Sequence, residues 1–144
     1  MIKNAVFYFL FYLIILIVIL IPNFNKAEEI LIYADNISYD ENENIIARGS
    51  AKIFHKDQLI ISDLIIYEKK TKKIILPVEF TLKDKDNNYF NASNGYLLND
   101  FNYGEFENIK VKLNDGSRIV GKRIKRDGHI DIITKGVYTP CKSR

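Results

Sequence analysis

The fold is decided by a unit that occurs twice, as Ala34-Asp35-Asn36-Ile37-Ser38-Tyr39 and, 28 residues later, as Ser62-Asp63-Leu64-Ile65-Ile66-Tyr67. Looser echoes follow at Ala92–Tyr96 and Val120–Ile124, so the steps are 28, 30 and 29 residues. A fixed period in this range indicates one structural unit laid down repeatedly, each copy burying its apolar face on the next. Such repeats build scaffolds, grooves and conduits more often than catalytic centres.

From Ile30 onward the chain reads as a series of strands separated by short polar turns. Ile, Val, Tyr and Phe dominate the apolar stretches, as strand preference requires, and no window after Pro22 holds an i, i+3, i+4, i+7 apolar face. Gly with Asn or Asp marks tight turns at Asn114–Gly116 and Asp127–Gly128. The pattern predicts an all-β fold with eight strands: Ile30–Tyr39, Ile45–Phe54, Gln58–Tyr67, Lys73–Leu82, Tyr89–Leu97, Gly104–Leu113, Ser117–Lys125 and His129–Thr134.

Alternation within these stretches indicates which side chains share a face. In Ile109–Leu113 the apolar residues alternate with two lysines, which predicts one buried and one solvated face. Leu59-Ile60-Ile61 and Ile74-Ile75-Leu76 are instead apolar on both faces. Such strands lie in an inner layer or against an apolar ligand; alternatively, an Ile-rich composition places Ile on outer faces.

The N-terminus predicts export. Ala5–Ile21 is an unbroken run of 17 apolar or aromatic residues, a length between a signal-peptide core and a spanning helix. Asn25–Ala27 ends on a small residue suited to cleavage. We therefore expect a signal peptide or membrane anchor over residues 1–27 and one exported domain over 28–141.

Charge and motif content argue against catalysis and nucleic-acid binding. Two of the 21 cations, Lys3 and Lys26, precede the exported domain, which leaves 19 cations against 18 acids. Nucleic-acid binding usually needs a strongly basic face. His55 and His129 lack Cys, Asp or Glu at metal-ligand spacing, and no phosphate loop, nucleophile motif or clustered acid/base pair for an exported hydrolase occurs. We predict no catalytic residue, no metal and no cofactor.

The most basic segment is Arg118–Arg126, with five cations in nine residues. These side chains would meet phosphates of a lipid head group or a nucleic acid, or form the solvated face of one strand. The flanking Asp115 and Asp127 dilute the charge and favour the solvated face.

Five short motifs, in order along the chain, resemble a known family. They are Ile30-x-Ile32-x-Ala34-Asp35, Ile46-Ala47-x-Gly49-x-Ala51, Ile61-Ser62-Asp63, Pro77-x-x-Phe80 and Asn91-Ala92-Ser93. Their order and spacing resemble the OstA-like periplasmic domain of the lipopolysaccharide transport proteins LptA, LptC and LptD, and the resemblance covers Ile30 to Cys141. It implies a β-jellyroll of stacked antiparallel strands, open and V-shaped in section, after an N-terminal hydrophobic helix.

The resemblance also implies a ligand, partners and site residues. Ile30, Ile32 and Phe80 would face the acyl chains of lipid A in an apolar trough; ordinary core packing is the alternative for each of them. Other OstA-like domains would join edge to edge, because unpaired sheet edges accept further strands. The protein would act in the periplasm or cell envelope, without a cofactor and without nucleic acid.

The end of the chain favours one member of the family. Gly136–Cys141 resembles the segment that closes this domain in LptD, where Cys141 would join a disulfide to the outer-membrane barrel. The resemblance then implies that the chain is a fragment that acts in lipopolysaccharide assembly at the outer membrane. Residues 142–144 would be the start of a missing or truncated C-terminal region. The long N-terminal apolar run instead suits an inner-membrane-anchored, LptC-like component. A purely structural envelope β-repeat module with a filled interior is the alternative from another class.

Overall fold

The computed structural model describes residues 2–19, 30–98 and 100–141. One helix, α1 (Ile2–Ile19), precedes twelve strands. The strands are β1 (Leu31–Tyr33), β2 (Asn36–Tyr39), β3 (Ile45–His55), β4 (Gln58–Glu68), β5 (Lys73–Leu76), β6 (Phe80–Lys83), β7 (Tyr89–Ala92), β8 (Asn94–Leu98), β9 (Tyr103–Lys112), β10 (Arg118–Asp127), β11 (Ile130–Thr134) and β12 (Val137–Thr139). The predicted all-β class and the N-terminal hydrophobic helix are confirmed. The cleavage segment Asn25–Ala27 and residues 142–144 lie outside the described residues.

Helix α1 is apolar around its circumference. Every side chain from Val6 to Ile15 is apolar or aromatic and between 41 and 73 % exposed. A helix of this composition is normally covered by protein or by lipid. Within the described residues no helix combines the length and the hydrophobicity needed to span a bilayer.

All strand pairings are antiparallel and join the twelve strands into one sheet. The long strands bend in the middle, so their two halves belong to different walls of the sheet. Wall 1 consists of β1, the second half of β3, the first half of β4, β6, β7, the second half of β9, the first half of β10, and β12. Wall 2 consists of β2, the first half of β3, the second half of β4, β5, β8, the first half of β9, the second half of β10, and β11. The pairing confirms the V-shaped jellyroll.

The line along which the two walls meet is the corner of the V, and it explains the sequence period. Asp35 and Asp63, the acids of the repeated unit, both lie on this line, at the bends between β1 and β2 and within β4. Each period of 28 to 30 residues therefore contains four half-strands: in each wall, one runs away from the corner and one returns to it. The returning strand bends at Gly49-Ser50 in β3, where two residues of β3 lie opposite one of β4. This bulge turns the strand into the next wall.

Gly49 is required at the corner by both conformation and space. Its φ is +75°, in the region that favours glycine. A Cβ at this position would lie 2.6 Å from Oδ2 of Asp35, whose backbone N–H donates a 2.9 Å hydrogen bond to the Gly49 carbonyl. The Asp of the repeat and the Gly of the next strand therefore fit together as one unit.

Three of the eight predicted strands are each divided in two at the corner. Between β5 and β6 the break contains Pro77, which has no N–H to donate to a ladder. Between β7 and β8 the Ser93 N–H donates instead to the Glu107 carbonyl at 3.0 Å. Strand β12, which pairs with β10, is an addition that the sequence did not predict.

The core fills much of the space between the walls. Side chains from both walls are fully buried there, among them Ile53, Ile60, Leu82, Ile74, Leu76, Leu97 and Phe106. In Ile109–Leu113 the alternation is confirmed, because Ile109 and Val111 are buried while the two lysines are exposed. The strands that are apolar on both faces are not an inner layer: Ile60 is buried, whereas Ile61 is 40 % exposed on the outer face.

Candidate functional site

The site residues predicted from the sequence lie in three different environments. Ile30 and Ile32 are half-buried and pack against the core near the first edge of the sheet. Phe80 is 2 % exposed, and its ring centroid lies 5.1 Å from that of Phe106 in an edge-to-face arrangement. Ile32 and Phe80 both point inward from wall 1, since their register partners Ile53 and Ala92 are buried. Their contact with acyl chains stays a prediction.

Cys141 lies apart from these three residues. Its thiol is exposed and is not in a disulfide. The sulfur would lie 3.0 Å from a Cβ placed on Gly116, so Cys141 rests against the turn between β9 and β10.

A cavity of about 500 Å³ opens between the walls, at the rims away from the corner and near the last strands. Its apolar lining comes from wall 1, wall 2 and the turn before β9: Phe90, Val111, Leu113, Ile119, Ile124, Ile133 and Phe101. Its polar lining lies mainly on the turns at the rims: Gln58, Asp84, Lys85, Asp86, Asn88, Asn102, Gly128 and His129. An apolar floor below a polar rim is the arrangement of a site for an amphiphile.

Arg126 and Asp131 form an ion pair inside this cavity. They lie directly opposite each other on β10 and β11. Nε and Nη2 of Arg126 donate to Oδ1 and Oδ2 of Asp131 at 2.9 and 3.1 Å. The guanidinium carbon also lies 4.9 Å from the ring centroid of Phe90, so one face of the cation is stacked on an aromatic ring.

The basic run is therefore divided between two faces. Arg118, Lys122, Arg123 and Lys125 are exposed, as expected for the solvated face of a strand. That interpretation is wrong for Arg126, which is only 8 % exposed and points inward. The sequence contained a signal for this difference, because Ile124 and Arg126 share a face in a strand with period two.

Phe101 closes the mouth of the V next to the cavity. It is 1 % exposed although it lies in the turn between β8 and β9, and its ring centroid is 5.2 Å from that of buried His55 on wall 1. Its φ is +60°, a conformation that is uncommon for an aromatic residue and persists only when packing enforces it. The contact joins the rims of the two walls.

Both ends of the sheet present strand edges with apolar side chains. Strands β1 and β2 pair only with β3, and β11 and β12 pair only with β10, within the described residues. The exposed apolar side chains on these strands are Leu31, Tyr33, Ile37, Tyr39, Ile130, Ile132, Val137 and Tyr138. Unpaired strands with such side chains are association surfaces.

Two surface turns hold carboxylates whose pKa values are lowered by hydrogen bonds. The backbone N–H of Asn44, its side-chain amide and the N–H of Asn42 all donate to Asp40, which holds the pKa of that carboxyl below its usual value. The hydroxyl and the N–H of Ser117 do the same for the pKa of Asp115. These acids stabilise turns, and the described residues contain no group of three side chains suited to a metal ion.

Comparison with known proteins supports the architecture. No family model and no curated protein matches the chain. Among solved structures, the chain superposes with a TM-score of 0.57 on LptH from Pseudomonas aeruginosa, described as the LptA homologous periplasmic component of the conserved lipopolysaccharide transport device. The match covers 81 % of this chain and 84 % of LptH at 15 % identity. The fold is an LptA-like β-jellyroll.

Proposed function

We propose that this chain binds lipopolysaccharide through the acyl chains of lipid A and passes it across the periplasm. The observation that carries the proposal is the cavity between the walls, with its apolar floor and polar rim. Each Å² of acyl surface that the floor shields from water contributes roughly 25 cal/mol, so the chains need no polar partner of their own. The jellyroll fold shared with LptH, a component of a lipopolysaccharide transport device, supports this assignment.

The proposed bridge forms through the two edges of the sheet. A like jellyroll would add its last strands β11 and β12 to β1 and β2 of the next domain, which extends both walls at once. Apolar side chains at both edges, such as Ile37 and Ile132, are 46 and 55 % exposed and would be covered by this contact. The walls of successive domains would then enclose one continuous trough.

Within this family of functions we propose the role of LptD, with the exposed Cys141 pairing with a cysteine outside these 144 residues. Such a disulfide would place the domain beside the barrel at the outer membrane. One observation favours the alternative of an anchored, LptC-like component: α1 exposes apolar side chains on every side. Lipid around α1 would hold the domain at the inner membrane.

A binding titration tests the proposal. The purified chain is titrated with a fluorescent lipid A analogue, and unlabelled lipopolysaccharide is the competitor. We expect saturable binding near one lipid per domain. Absence of binding by a folded chain would refute the proposal and favour a structural envelope module with a filled interior.

Two adjacent residues provide matched variants for this titration. Ile119 is half-buried and lines the cavity, whereas Val120 points outward and is 52 % exposed. Ile119→Glu places a charge where acyl chains lie and should abolish binding, while Val120→Glu should bind like the unmodified chain. Circular dichroism verifies that both variants are folded. Equal binding by the two variants would exclude the cavity as the site.

A further inference from the structure

The inner faces of the two walls are almost free of charge. The strand registers place Tyr39, Ile45, Tyr67, Ile74, Leu97, Gly104, Arg126 and Asp131 in one inward-facing row across wall 2. The other inward rows contain apolar or small side chains, for example Ile32, Ile53, Ile60, Leu82, Phe90, Val111 and Ile119 across wall 1. Within the described strands, Arg126 and Asp131 are the inward-facing side chains that carry a guanidinium or a carboxylate.

Stability alone does not explain this pair. Removing two charges from water is costly, and replacing a buried ion pair by well-packed apolar residues is often neutral or stabilising. The same inward row is filled by apolar residues elsewhere, as at Ile74 and Leu97. A function at Arg126 accounts for the charge at this point of the row.

The pair is asymmetric in a way that permits exchange. The Arg126 side chain is 9 % exposed and is held over Phe90, whereas the Asp131 side chain is 31 % exposed on the edge strand β11. The Asp131 side chain can therefore rotate towards the solvent, while the guanidinium stays in the cavity. Asp131 accepts hydrogen bonds from two of the three guanidinium nitrogens, Nε and Nη2.

The geometry points to a phosphate site: Arg126 binds a phosphate of the ligand's head group, and Asp131 occupies the guanidinium as an internal anion while the cavity is empty. The inference rests on the proposed function and deepens it. A guanidinium binds phosphate through paired hydrogen bonds, and the apolar residues beside Arg126 would hold the acyl chains of the same molecule. Asp84 is a carboxylate on the nearby rim. It accepts hydrogen bonds from the N–H groups of Asp86 and Asn88, so its negative charge is bound within its own turn.

Two lipids and three variants test the site in the full chain held in an amphipathic polymer. The lipids are lipid A with its phosphates and lipid A from which the phosphates have been removed, each measured by displacement of a fluorescent dye. Because a charged hydrogen-bonded contact is involved, we expect the unmodified chain to prefer the phosphorylated lipid by about tenfold or more. Arg126→Gln should remove this preference, so that the two lipids displace the dye with comparable affinity. Asp131→Asn should strengthen binding of the phosphorylated lipid more than binding of the dephosphorylated lipid.

The control variant is Arg123→Gln. Arg123 lies on the same strand but on the outer face, in an exposed ion pair with Glu107 at 3.2 Å, and its loss should leave the preference intact. If Arg126→Gln fails to fold, Arg126→Lys replaces it; this variant keeps the charge, loses the paired geometry and should show a reduced preference. A preference that survives in every folded Arg126 variant, or weaker binding by Asp131→Asn, would overturn the inference.

The outcomes separate this inference from the proposed function. Binding of both lipids with equal affinity would refute the phosphate site and retain the trough. Binding of neither lipid would refute the trough itself. Inorganic phosphate at millimolar concentration is the third probe, and we expect it to leave lipid binding unchanged. Inorganic phosphate that displaces the phosphorylated lipid as effectively as the dephosphorylated lipid does would show that the site takes free phosphate. The head-group assignment would then be wrong.

Discussion

Replacing Phe80 by Ala would decide whether the centre of the interior is packed or open. The side chain is 2 % exposed, and its cross-strand neighbours Ser62 and Ala92 are small, so the ring occupies the space that they leave. Truncation of a buried Phe costs about 3–5 kcal/mol, because transfer and cavity terms add. Of this, roughly 0.5–1.5 kcal/mol belongs to the edge-to-face contact with Phe106. A double-mutant cycle with Phe106→Leu measures that share.

Urea unfolding followed by far-UV circular dichroism is the assay. For an m-value near 2 kcal/mol per molar, the expected loss lowers the midpoint by roughly 1.5 to 2.5 M. The control is Phe54→Ala on the outer face of the same wall, where the ring is 37 % exposed and we expect a loss of about 1 kcal/mol. Equal losses for the two variants would refute a packed centre. Phe80 would then line an open slot and stay available to acyl chains.

Three further changes test the corner, the turns and the C-terminal thiol. Gly49→Ala should destabilise more than Gly128→Ala in urea unfolding: both glycines have positive φ, but an added Cβ meets the corner carboxylate at the first and nothing within 4 Å at the second; equal losses would refute the clash. The pKa values of the Asp40 and Asp115 carboxyl groups are lowered by folding. The stability that they contribute is therefore complete above the pKa of the unfolded state and is lost as the pH falls through the pKa of the folded state. Carboxyl NMR titrations that give ordinary pKa values would contradict this. Cys141→Ser should change the unfolding free energy by less than about 0.5 kcal/mol, because the thiol is exposed; marked unfolding would show that the thiol serves this domain.

Much of the fold could be predicted because local patterns govern it. The 28-residue step between Asp35 and Asp63 is the length of two antiparallel strands, and the structure places both acids on one line. Period-two alternation identified the inward face of Ile109–Leu113 correctly. Strand ends were less predictable, since the break at Ser93 depends on a hydrogen bond to Glu107 on another strand.

The candidate site was predicted less well than the fold. Ile30, Ile32 and Phe80 were chosen from motifs near the first edge and the centre, whereas the cavity lies near the last strands. Which part of a trough is filled depends on the side chains of both walls together. Phe101, for instance, closes the mouth only because its turn lies opposite His55.

The sequence by itself determined the all-β class, the repeating pair of strands and the apolar inner faces. These properties depend on neighbours within a few residues, where strand preference, turn residues and alternation act. Tertiary structure alone decided that Asp131 meets Arg126 and that a cavity opens beside them. Such features arise where strands that are distant along the chain face each other across the V. Short-range sequence patterns do not specify which of these side chains meet.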